Sequence, residues 1–210
     1  MNALEDRQKL EELYLPPADR FVTVDVPDLQ FVMVDGEGDP SGEPFATSSR
    51  WLWTVAHPLK RIARERMGKN YAEAPLECLW WADDIGDFIA GRREKLKWRQ
   101  MIVTADWVDE GMFEESLVPA SERLGDAPET LRLERFDEGR CVQIMHIGHN
   151  RDEVATLRRL HNEYLPSQGL MPRGHHHEIY LTDPNRVAPE KWRTVLRQPV
   201  IPGSFEGEEI

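Results

Sequence analysis

The sequence predicts an α+β fold in which one strand–helix–strand–strand order is used twice. Three observations carry that expectation. Alternating β-rich runs bracket an amphipathic helical run in each of two segments, about 30–105 and about 131–200. Clusters of Gly, Pro and Asp separate the runs at corresponding places. The copies share order rather than residues, so the repeat is one of topology. Residues 1–19 are expected as an N-terminal arm, 20–201 as one domain holding both modules, and 202–210 as a tail.

The arm carries a short helix from about Ala3, broken by Pro16-Pro17. Phe21–Val26 and Gln30–Val34 alternate as strands around Pro27-Asp28, and Asp35–Gly42 has the residues of a loop. Phe45, Leu52, Val55, Ala56, Leu59, Ile62 and Ala63 recur at helical spacing and predict a helix over about 43–66, which Pro58 should kink or interrupt. Strands follow at Leu76–Ala82 and Lys97–Ala105, with a charged, hairpin-like excursion over 83–95 between them. Phe113, Leu117 and Ala120 mark a helix ending near Leu124. In the second half, Thr130–Phe136 and Cys141–Ile147 predict strands joined by the turn Asp137-Glu138-Gly139. Val154, Leu157, Leu160 and Tyr164 predict one face of a helix over Arg151–Leu165. Two such modules can pack with helices on one side of the sheet and the other side open as a groove.

Composition narrows the function. Twenty-six Lys and Arg against 38 Asp and Glu give a net charge of −12, which argues against a nucleic-acid partner, whose binding rests on phosphate neutralisation. No apolar run reaches the ~18 residues of a membrane span, and the N-terminus has no signal pattern, so a cytoplasmic protein is expected. Cys78 and Cys141 have no CxxC or CxH companions and read as small buried apolar residues. No phosphate-binding glycine loop and no nucleophile elbow are present, and no cofactor is expected.

The most informative stretch is His175–Val200. In the strand His177–Leu181, Glu178 and Tyr180 share one face while Ile179 and Leu181 share the other. The apolar pair asks for a core, leaving the carboxylate and the phenol together on the opposite face. His175-His176-His177 invites a metal reading, but neighbours on a strand face apart and no second ligand cluster is at hand, so no metal is expected. Asp183-Pro184 closes the strand, Pro189 starts a helical turn, and Pro199 confines Thr194–Val200 to an edge strand or a strand end.

These residues carry a resemblance. Leu79-Trp80-Trp81-Ala82-Asp83-Asp84, Leu131–Phe136, His146-Ile147-Gly148 with Glu153 after it, and above all His176–Leu181 with Asp183-Pro184, Ala188–Lys191 and Leu196–Val200 resemble the GyrI-like small-molecule-binding (bacterial effector-binding) family, over about 21–201. The likeness is greatest to its free-standing branch, which includes hydrolases of cyclopropanoid DNA-alkylating compounds. The resemblance implies a pseudo-twofold domain with a central aromatic groove and a buried glutamate, here Glu178, that meets cationic or polar aromatic ligands. The sequence departs from the family where His149-Asn150 replaces an expected Pro-Tyr, so one aromatic wall of the groove is expected to be missing or replaced by imidazole, and where Thr104-Ala105-Asp106 replaces Gln-Pro-Asp.

The expected ligand is therefore a bulky, flat, hydrophobic aromatic molecule, bound by a monomer or a homodimer. Glu178 and Tyr180 are the expected catalytic residues: Glu178 to activate water, Tyr180 to stabilise charge on a substrate oxygen. A carboxyl group walled by aromatic rings has its charged form disfavoured, which suits proton transfer. Trp80, Trp81, Trp98, His146, His149, Tyr164 and His176 are the expected ligand-binding residues. Trp80 and Trp81 must point to opposite faces, so one of them at most lines a groove unless a bulge intervenes. His146 alternates with Val142 and Ile144 and is equally a core histidine, and Tyr164 is equally a core residue with its hydroxyl at the rim. Asn150 is expected to cap the helix at Arg151 if His149 lies in a solvated turn. A non-catalytic multidrug-binding or sensor protein would use the same groove.

Overall fold

The computed structural model describes residues 6–84 and 92–203. Its first elements are α1 (Arg7–Tyr14), β1 (Val22–Val26), β2 (Leu29–Glu37), α2 (Glu43–Met67), β3 (Leu76–Trp81) and β4 (Lys97–Thr104). Then come α3 (Glu110–Leu124), β5 (Arg132–Phe136), β6 (Gly139–Ile147), α4 (Glu153–Arg159), β7 (Leu170–Pro172), β8 (His176–Tyr180) and β9 (Arg193–Pro202). The helix at α4 continues through a π turn, Leu160–Tyr164, and a last α turn, Leu165–Ser167. The fold is α+β with antiparallel strands, as the sequence predicts. Part of the expected excursion over 83–95 lies outside the described residues, as do most of the tail and residues 1–5. Among the described residues no helix is long and apolar enough to cross a membrane.

The chain forms two compact units, one of Asp28–Asp137 and one of Gln8–Pro27 with the residues from Glu138 onward. In the first, the strands run in the order β3-β4-β2-β5. α2 begins with Pro44 in its first turn, where a missing amide costs nothing, and ends at Gly68 in the left-handed conformation. Pro58 does not interrupt it: Val55, Ala56, Leu59, Ile62 and Ala63 are buried on both sides of the proline, and that packing outweighs the loss of one ladder bond. Asp109 caps α3 by accepting from the Met112 amide at 2.8 Å, and α3 packs along α2. Gly36 faces Trp98 across the β2–β4 pair, where an added Cβ would stand 2.1 Å from the indole ring. The glycine therefore makes the room that Trp98 fills.

In the second unit the order is β1-β6-β9-β8, with β7 against the far end of β9. Leu160 and Leu165 pack on Phe21, Val142, Ile144, Leu196 and Val200. Two expectations are corrected here. The strands flanking Asp137-Glu138-Gly139 do not form a hairpin: β5 pairs with β2, and β6 pairs with β1. Turn residues show that the chain changes direction, not which strand it joins next. The face bearing Glu178 is also not the uncovered one, because it is continuous with Leu196 and Ile144 beneath the α4 segment.

The opposite face of this sheet is held by charge. His177, Arg197 and Gln143 are consecutive cross-strand partners on β8, β9 and β6. Glu138 receives both cations, with Oε1 2.9 Å from His177 Nδ1 and Oε2 3.1 Å from an Arg197 nitrogen. Arg197 also donates to Gln143 Oε1 at 3.0 Å and to the Leu13 carbonyl, while Gln143 donates to the Glu12 carbonyl at 2.7 Å. The Glu12 and Leu13 carbonyls, in the last turn of α1 where the helix offers no amide partner, are satisfied in this way. The expected N-terminal arm thus places Leu13 fully inside this unit.

Burial alone would raise the pKa of Glu138, but His177 and Arg197 outweigh it and bring the group from 4.5 down to about 2. The unfolded chain takes up this proton at the higher pH, so the stabilisation is present above 4.5 and is lost as pH falls toward 2. Glu138→Gln should lower stability near pH 6 by about 3–5 kcal/mol, because it leaves Arg197 buried without its counter-charge. It should also flatten the acid limb of the urea-midpoint profile. Wild-type and variant profiles that fall in parallel would remove Glu138 as the source of that limb.

Candidate functional site

The alternation of β8 sets His176, Glu178 and Tyr180 on one face. Their neighbours on β9 are Leu196 beside Glu178 and Thr194 beside Tyr180, and His146 of β6 lies across from Thr194. The Tyr180 hydroxyl donates to Glu178 Oε2 at 2.7 Å. His176 Nε2 lies 3.7 Å from the other carboxylate oxygen, Oε1. These contacts bear out the shared face read from the sequence.

The first turn of α4 adds a second carboxyl group. A 3-10 turn over Asn150–Asp152 precedes the helix and sets its phase, so that Glu153 points inward at 4% exposure and Val154 points out at 50%. The expected apolar face is thereby corrected: Glu153, not Val154, leads the row that continues through Leu157, Leu160 and Tyr164. Thr194 hydrogen-bonds Glu153, which favours the charged form. Burial and then the neighbouring Glu178 charge outweigh that bond and push Glu153 up to about 9. Among the described residues Glu153 Oε1 and both ring nitrogens of His176 are buried without a hydrogen-bond partner. The π turn carries His161, which burial and then His176 lower to about 4.

The other predicted residues are distributed as follows. His146 Nε2 is 3.2 Å from the His149 carbonyl. His149, rather than Asn150, caps the turn, its Nδ1 accepting from the Arg151 amide at 3.2 Å, and its ring lies 5.2 Å from that of Trp192. Tyr164 packs at 4.9 Å on Phe21. Trp80, Trp81 and Trp98 belong to the first unit, where Trp80 stacks on Phe45 at 5.4 Å and Trp98 meets the same ring edge-on at 5.2 Å. Trp98 is 1% exposed, and Trp81, next to Trp80 on the strand, faces the other way and is half-buried. Among the described residues no group of three His, Cys, Asp or Glu side chains is placed to hold a metal ion.

The arrangement sets Glu153, held protonated well above the usual carboxylate range, beside a second carboxyl group, Glu178.

Residues 21–201 match the GyrI-like small-molecule-binding domain. The chain belongs to this family. It is similar to an uncharacterised conserved protein from Listeria innocua, with 31% identity, 93% of this chain and 98% of that chain covered, and a TM-score of 0.82. It is also similar to a protein from Listeria innocua described as a hydrolase, with 32% identity, 92% and 98% covered, and a TM-score of 0.76. No curated protein matches it.

In this GyrI-like domain the sequence reading missed Glu153 and Thr194 as site residues, quoting Glu153 only as a motif marker, and it missed His161. A signal for Glu153 was present. It stands four residues before Leu157 and seven before Leu160, which is the spacing of an inward helical face.

Glu153 keeps its proton in the folded protein up to about 9, whereas the unfolded carboxyl ionises from 4.5. Its contribution to stability is complete below 4.5 and is lost as pH rises toward 9. Glu153→Gln, which resembles the protonated acid, should match the wild type near pH 4. Above pH 4.5 its advantage over the wild type should grow by about 1.4 kcal/mol per pH unit up to near pH 8, measured by urea unfolding. A variant no more stable at the higher pH would show that Glu153 is ionised in the folded protein.

Proposed function

We propose that this GyrI-like domain hydrolyses bulky, planar cyclopropanoid alkylating compounds by adding water to the strained ring. The observation that carries this reading is the unequal carboxyl pair, with Glu153 held protonated beside Glu178. The hydrolase description of a relative with 32% identity over nearly its whole length supports it.

The two groups match the demands of the reaction. Glu178 takes a proton from water as the water oxygen bonds to the ring methylene carbon. The strained carbon–carbon bond breaks, and its electron pair moves through the conjugated system to the ketone oxygen. Glu153 protonates that oxygen. Glu178 then holds the proton that Glu153 has lost, and transfer between the two restores both. Tyr180, with its hydroxyl directed to Glu178 Oε2, holds the base in orientation, a different part from the oxygen-stabilising one expected of it. The product is the substrate plus one water.

Incubation with a cyclopropanoid alkylator should yield a product one water heavier by mass spectrometry. General acid–base groups contribute about 10²–10⁴-fold to rate, and Glu178→Gln and Glu153→Gln should each lose turnover within that range while still binding the compound. Binding without any hydrated product from the wild type would instead assign the domain to non-catalytic sequestration.

A further inference from the structure

We propose that His176 is the second holder of the attacking water, sharing it with Glu178 Oε1. The inference rests on the hydrolytic reading above and deepens it by naming a residue that places the nucleophile.

The geometry begins with a distance. His176 Nε2 and Glu178 Oε1 are 3.7 Å apart, too far for a direct hydrogen bond and near enough for one oxygen to lie about 2.8 Å from each. The other carboxylate oxygen is already engaged by Tyr180, so Oε1 is the one left to take a proton from a bridging water. His176 is 7% exposed, and neither ring nitrogen has a hydrogen-bond partner among the described residues. A buried imidazole in that condition is destabilised against a satisfied one unless a water or ligand atom completes it. A nucleophile shared with Glu178 would complete Nε2.

A second observation comes from the helix. π turns are rare and occur frequently at functional sites. This one brings His161 to where His176 acts on it, and burial followed by His176 lowers His161 to about 4. The titratable groups around His176 are then His161 from the π turn, Glu178 on its own strand, and Glu153 through Glu178.

The test uses three variants of the full chain and the cyclopropanoid alkylator as probe. The amide nitrogen of glutamine can stand where Nε2 stands, whereas that of asparagine stands nearer Nδ1. His176→Phe and His176→Asn should lower kcat at least tenfold with KM within about twofold, and His176→Gln should recover to within about threefold of wild type. Thermal melts by circular dichroism confirm that each variant folds. Wild-type kcat in His176→Phe, or equal losses in Gln and Asn, would overturn the proposal. Imidazole nitrogen NMR of the free protein separates this outcome from failure of the hydrolytic reading. Glu178→Gln should shift the Nε2 resonance of His176 and leave Nδ1 nearly unmoved, whether or not the alkylator is hydrolysed. No change at Nε2 would overturn the pairing even in an active enzyme.

Discussion

Much of the second unit follows from one constraint, the two-residue period of a five-residue strand. β8 sends His177 into the Glu138–Arg197 cluster on one face and Glu178 toward Glu153 on the other. Consecutive residues thus belong to two buried charge systems separated by the thickness of the sheet. The cluster on the first face fixes β6, β8 and β9 to one another through side chains as well as through the backbone ladder. A slip of one residue in β8 would exchange the faces and place His177 against Glu153. The buried ion cluster acts as a register pin, and the geometry around Glu178 inherits its accuracy.

The same unit shows how partners rather than burial decide the state of a carboxyl group. Glu138 and Glu153 are both deeply buried, and burial raises both. Two cations reverse the effect for Glu138, whereas Glu153 has an anion and a single hydroxyl. One glutamate is fixed as a structural anion and the other is kept as an acid. The first unit uses the corresponding place differently. Phe45, in the first turn of α2, drops onto Trp80 and Trp98 of the β3–β4 pair, much as Glu153 drops onto the β8–β9 pair. One topology therefore carries an aromatic cluster in one unit and an acid cluster in the other.

The legible parts of the sequence were those governed by local periodicity. Alternation in His177–Leu181 placed Glu178 beside Tyr180, and helical spacing placed α2 and its buried face. What was not legible depended on partners distant in sequence. The pairing of β1 with β6 and of β2 with β5 leaves no local mark, because a turn at Pro27-Asp28 serves a hairpin and an exit equally well. Glu153 was overlooked because a charged residue at a helix start normally faces water, although its spacing to Leu157 and Leu160 is that of an inward face. His149 was weighed as a wall of the groove or as part of a solvated turn, and its ring nitrogen in fact accepts a backbone amide as the cap.

The crossing of the chain at Pro27-Asp28 and again at Asp137-Glu138 has a consequence for synthesis. Each unit borrows a strand from the other half of the sequence: β5 completes the first, and β1 belongs to the second. A nascent chain emerging from the ribosome therefore cannot finish the first sheet until Phe136 is clear of the exit tunnel. β1 must meanwhile wait without its partner through the synthesis of more than a hundred residues. An ancestral duplication that began with two self-sufficient halves would lose their independence at this exchange. After it, neither half can be deleted or expressed alone without stripping a unit of its outermost strand.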